Sequence, residues 1–121
     1  MEEITMETIL GIHSRVLARD GGDPRIVSEG NIHQMVFQAN LKSDPVTRAA
    51  SVFWSLCAYP AFREGNRRTA YLLAELILSM EGSQVSLPCD EISALAQGID
   101  MFTVEIEDVE QVLQLHAKKT H

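Results

Sequence analysis

Residues 62–70 read Phe-Arg-Glu-Gly-Asn-Arg-Arg-Thr-Ala, and they sit between the two most apolar stretches of the chain. Upstream, Ala49, Ala50, Val52, Phe53, Trp54, Leu56 and Cys57 make a segment that is apolar nearly all round. That pattern predicts a buried helix. It opens at Asp44-Pro45, an N-cap followed by proline at the first helical position. It closes before Pro60, because the residue preceding a proline is pushed out of the α region. Downstream, Arg67 to Met80 carries Ala70, Leu72, Leu73, Leu76, Ile77 and Met80 at helical spacing, with a stop at Gly82. Two central buried helices joined by a short polar loop are therefore the expected frame.

Further out, the same spacing predicts a helix over Thr5–Arg19, with Thr5 as its cap and Gly21-Gly22 as its stop. A second helix is expected over Asn31–Ala39. Two more follow, over Asp90–Gln97 and Glu105–Lys118, the last with early acids and late lysines as the helix dipole prefers. Residues 83–88 allow one short extended piece. The expectation is an all-α single domain spanning 1–121. Phe53, Trp54 and Phe102 are assigned to its core, and Phe62 is expected to anchor the polar loop by inserting there.

The chain has 121 residues, and 10 basic against 17 acidic side chains give a net charge of −7. The acidic balance disfavours a generic nucleic-acid binder, which needs a basic face, and no predicted helix has one. No run of apolar residues is long enough for a transmembrane helix. The N-terminus lacks the layout of a signal peptide. Cys57 and Cys89 have no metal-ligand neighbours in sequence, which argues for free thiols and a cytoplasmic location.

The basic residues are unevenly placed. Arg63, Arg67 and Arg68, three of the 10, fall around Gly65-Asn66, where the loop becomes a helix. Free backbone N–H groups and the positive dipole end converge at such a junction, which suits an anion. Gly65 lets the backbone approach a phosphate closely. Asn66 is positioned to cap the helix and to donate to an oxygen. Glu64 is a candidate Mg²⁺ ligand, since Mg²⁺ prefers a carboxylate together with phosphate oxygens. A plain helix cap accounts for Gly-Asn equally well. The two arginines weigh against that, because cations oppose the dipole at a helix start unless an anion lies nearby.

Residues 60–70 resemble the Fic/Doc signature HxFx[DE]GN[KG]R, with the TA continuation of the Doc-like branch. The resemblance extends through residues 7–40, 49–62 and 69–82. It implies an all-α Fic/Doc-like helical bundle that binds ATP or a related nucleotide with Mg²⁺. By position, Glu64 takes the metal-holding role, Gly65 and Asn66 cradle phosphate, and Arg68 binds it. Arg67 stands where Doc-like members have lysine and AMP-transferring members have glycine. Tyr71 stands where AMP-transferring members have a second arginine.

The motif departs from the family at one decisive place. The catalytic His position falls on Pro60, whose side chain accepts no proton, so no general base acts from there. The histidines at 13, 33, 116 and 121 are not adjacent in sequence. His13 lies on the inner stripe of the first helix, where packing is its expected role. Tyr59 is next to the vacant position, but a phenol hydroxyl is a poor general base at neutral pH.

No [ST]xxxE[GN] run, the family's inhibitory motif, is present. Three functions compete. One is a Doc-like toxin homologue that binds nucleotide but lacks normal phosphotransferase activity. Another is an active hydroxyl kinase using a different base. The third is a non-catalytic decoy or scaffold for a protein partner. The implied partners are an antitoxin and a target such as a translation factor.

Overall fold

The computed structural model describes residues 2–120; Met1 and His121 lie outside them. Within the described residues the chain forms α1 (Met6–Asp20), α2 (Glu29–Asn40), α3 (Pro45–Ala58), α4 (Asn66–Met80), β1 (Ser83–Val85), α5 (Cys89–Asp100), α6 (Ile106–His116) and β2 (Ala117–Lys119). The fold is all-α apart from one two-stranded antiparallel sheet. No described helix is long and apolar enough to cross a membrane.

The helix starts follow local chemistry. Thr5, Ser28 and Asp44 each accept the N–H of the residue three positions on, as N-caps do. At α6, Glu105 N–H donates to Asp108 at 2.9 Å. Ser28 starts α2 two residues earlier than the apolar spacing indicates. At the other end of α1, Gly21 adopts a positive φ of 77°.

α3 and α4 pack on each other more extensively than any other pair of elements and form the centre of the bundle. α2, α5 and α6 cover α3, while α1 and β1 cover α4. Phe53, Leu56, Leu73, Ile77 and Leu78 are fully buried between them. Burying such side chains stabilises by roughly 1.5–3 kcal/mol each.

Three expectations need correction. α6 ends at His116 and not at Lys118, because the next residues pair with β1 in the register Gln84 to Lys118. Lys118 and Lys119 therefore sit on a strand and do not complement a helix end. α5 continues through Gly98 to Asp100. A Cβ at Gly98 would lie 2.3 Å from Val104 Cγ2, so the missing side chain is what lets the α5–α6 loop fold back. Phe102 does not join the core. It is 83% exposed at a φ of 60°, just past the end of α5. Trp54 is half-buried, with its indole N–H donating to Val104 O at 3.0 Å.

Candidate functional site

Asn66 is the first residue of α4, and Gly65, at φ 85°, is its N-cap. This corrects the expected capping role of Asn66. Its Oδ1 accepts the N–H groups of Ala61 (3.2 Å) and Phe62 (3.0 Å), and its Nδ2 donates to Phe62 O at 2.7 Å. The amide thus staples the loop into a tight turn and keeps one N–H to spare. No side chain caps α4, so the N–H groups of its first turn point out of the helix without a side-chain partner. Gly65 is needed here for a second reason. A Cβ on it would lie 3.4 Å from the His13 ring, at a φ that L-residues rarely adopt.

Phe62 is buried, as an anchor should be, and His13 shapes its surroundings. The two rings stack at 3.6 Å with 9° between their planes. His13 Nε2 is 2.8 Å from Glu64 O, which can only accept, so Nε2 carries the proton. One histidine on α1 therefore holds both the anchor and the backbone of the acidic position. The sequence placed His13 on the inner stripe. The contact with the motif, 51 residues away, has no sequence signal.

The opposite wall comes from the segment linking α1 and α2. Val27 N–H donates to Ala61 O at 2.7 Å, Arg63 N–H to Arg25 O at 2.9 Å, and Ile26 forms an isolated antiparallel bridge with Phe62. Asn31 Nδ2 donates to Pro60 O at 3.0 Å, fixing the start of the loop. Asp23, Val27, Phe62, Arg63 and Glu64 line an open depression of about 470 Å³.

Three arginines near the turn are paired with carboxylates that end α1 or lie in the segment after it. Arg68 Nη1 lies 2.5 Å from Asp20 Oδ2. Arg63 lies 3.7 Å from Asp23, and Arg25 makes a 2.6 Å ion pair with the same carboxylate. The hydrogen bonds from Arg25 lower the Asp23 pKa to about 2. Glu64 Oε2 accepts the N–H of Asp23. Arg67 reaches the other way, to Ser93 Oγ on α5 at 3.5 Å. Tyr71 is tied elsewhere, its hydroxyl accepting Leu87 N–H at 3.1 Å while burial raises its pKa. The anion that the two arginines seemed to require is thus partly internal, and Asp20 and Asp23 were not singled out from sequence.

The residues present fit a metal-bound phosphate chain better than a metal alone. Among the described residues no cluster of His, Cys, Asp and Glu could hold an ion by itself. Glu64 offers one carboxylate next to an uncapped helix start, which suits Mg²⁺ only when phosphate supplies further oxygens.

The two central helices of this mostly helical bundle are thus joined by a Gly65-Asn66 turn flanked by Glu64, Arg67 and Arg68. The Fic/DOC family model matches residues 3–78. The chain belongs to the Fic/DOC family. The match covers α1 to α3 and nearly all of α4, the elements that build the turn, and stops before β1, α5, α6 and β2. No curated protein matches the chain.

Proposed function

We propose that this protein is a Doc-like toxin homologue that binds ATP or a related nucleotide with Mg²⁺ and lacks normal phosphotransferase activity. The observation that carries the reading is the uncapped start of α4 behind left-handed Gly65, with Glu64 before it and Arg67 and Arg68 after it. In this reading the first-turn N–H groups and Arg68 take the phosphates. Arg67 adds charge, and Glu64 shares Mg²⁺ with the phosphate oxygens.

The chemistry then lacks its proton acceptor. Pro60 occupies the family's His position, and its carbonyl is held by Asn31. His13 commits Nε2 to the Glu64 carbonyl. Loss of a general base costs ~10²–10⁴ in rate. The proposed setting is the cytoplasm, with an antitoxin segment and a translation factor as the protein partners.

Calorimetric titration with ATP and Mg²⁺ tests the site. Saturable binding is expected, weakened by chelating the metal and reduced about 10-fold or more in Arg68→Ala, the scale of a charged hydrogen bond. Equal binding by both proteins, or no binding at all, overturns the assignment. Labelled ATP and a cell extract test the chemistry. The natural chain is expected to label no protein, and Pro60→His is expected to gain labelling. Efficient labelling by the natural chain would instead favour a different base.

A further inference from the structure

We infer that Asp20 is a built-in competitor of phosphate at Arg68, so that nucleotide binding is an exchange of one anion for another. This rests on the nucleotide-binding reading above and concerns how that site is controlled.

Asp20 is the last residue of α1, and Arg68 lies in the first turn of α4. Each is at the end of its helix that its own charge disfavours. Their 2.5 Å contact removes both penalties at once. The pair belongs to a larger arrangement. Gly21 and Gly22, with φ of 77° and 126°, turn the chain tightly enough that Asp23 returns to the same site. There its N–H binds Glu64 Oε2, and its carboxylate faces Arg63. Gly22 holds a φ that L side chains rarely adopt, and a Cβ there would also press on Glu64 Oε2 at 3.0 Å, so glycine suits this packing.

Residues 20–23 therefore engage both groups that a Mg²⁺-bound phosphate chain needs, the arginine and the carboxylate. The Asp20 side chain keeps 28% of its surface exposed and the Arg68 side chain 65%, so the pair is accessible to an incoming anion. Arg68 cannot serve a phosphate fully while it serves Asp20. The carboxylate also repels the phosphate that would replace it. Asp20 thus sets the affinity threshold of the site, and removing its charge releases Arg68.

The experiment compares Mg²⁺-ATP affinity in the natural chain, Asp20→Asn and Asp20→Glu, with Glu107→Gln on α6 as a control for net charge. Partly exposed ion pairs are worth up to about 1 kcal/mol, so Asp20→Asn should bind about 5-fold more tightly. Asp20→Glu, which keeps the charge, should stay near the natural value, and so should Glu107→Gln. Asp20→Ser should repeat the gain if Asp20→Asn folds poorly. Binding by the natural chain with no gain in Asp20→Asn or Asp20→Ser overturns the competitor and leaves the site standing. A gain of the same size in Glu107→Gln also overturns it, since net charge would then be the cause. Absence of binding in every protein removes the site and the competitor together.

Discussion

The motif loop is held by side chains that the motif does not include. His13 contributes a ring stack on Phe62 and a 2.8 Å hydrogen bond to Glu64 O. Removing both should loosen the turn that aims Glu64 and the start of α4. His13→Ala is expected to cost about 2–3 kcal/mol in urea unfolding, from the lost packing and the orphaned carbonyl. His13→Phe keeps an aromatic ring against Phe62 and should cost less, about 1 kcal/mol. Equal stability of both variants and the natural chain would mean that the loop holds itself. The helical stripe of Ile9, Ile12 and Val16 made the inward direction of His13 legible. Its partner depends on how α1 lies across α4, which no local pattern encodes.

Among the elements, α2 and α3 are joined by an arginine whose burial no local pattern predicts. Arg48 is only 4% exposed, and among the described residues no carboxylate neutralises it. Its guanidinium donates instead to the carbonyls of Glu2, Ala39, Asn40 and Lys42. The Asn40 carbonyl is otherwise an orphan acceptor at the end of α2, whereas that of Ala39 also accepts Lys42 N–H at 3.0 Å. Asn40 adds two bonds to the backbone of Ile4, pinning the N-terminal segment over the core. Arg48→Ala is expected to destabilise by about 2–4 kcal/mol, because buried carbonyls lose a charged donor. Thermal or urea denaturation reads this directly, and an unchanged midpoint would exclude the role. The caps Thr5 and Asp44 were readable at this scale, since each acts within three residues of itself, whereas Ser28 was missed because the apolar spacing of α2 begins only after it. The α6–β2 boundary was not, because a strand exists there only through its pairing with β1, more than thirty residues away in sequence.

Across the whole molecule, the two thiols report on the closure of the core. Cys57 is half-buried on α3, and burial pushes its thiol up to about 12. Cys89 is exposed at the start of α5. The thiolate is the reacting form, and at pH 8 roughly one part in ten thousand of Cys57 carries it. Iodoacetamide at that pH is expected to label the native chain once, at Cys89, and the unfolded chain twice. Rapid native labelling of Cys57 would show that α3 is far more open than its packing indicates. The net charge of −7 also changes meaning at this scale. Part of the acidic excess is spent locally, with Asp20 and Asp23 facing the arginines of the motif.

The sequence by itself determined the helical class, the two central apolar helices, the caps Thr5 and Asp44 and the run from Phe62 to Arg68 that carries the family likeness. These follow from periodicity, caps and spacing, which act over a few residues. Only the tertiary structure decided what touches that run. It placed His13 under Phe62, Asp23 N–H on Glu64, Asp20 on Arg68 and Asn66 inside its own loop. It also sent Phe102 outward and turned the last residues into a strand. The physical reason is range. A cap or an apolar stripe is satisfied within its own helix, whereas a charge or a buried polar atom is satisfied by whichever group the packing of α1 and α4 brings within hydrogen-bond distance.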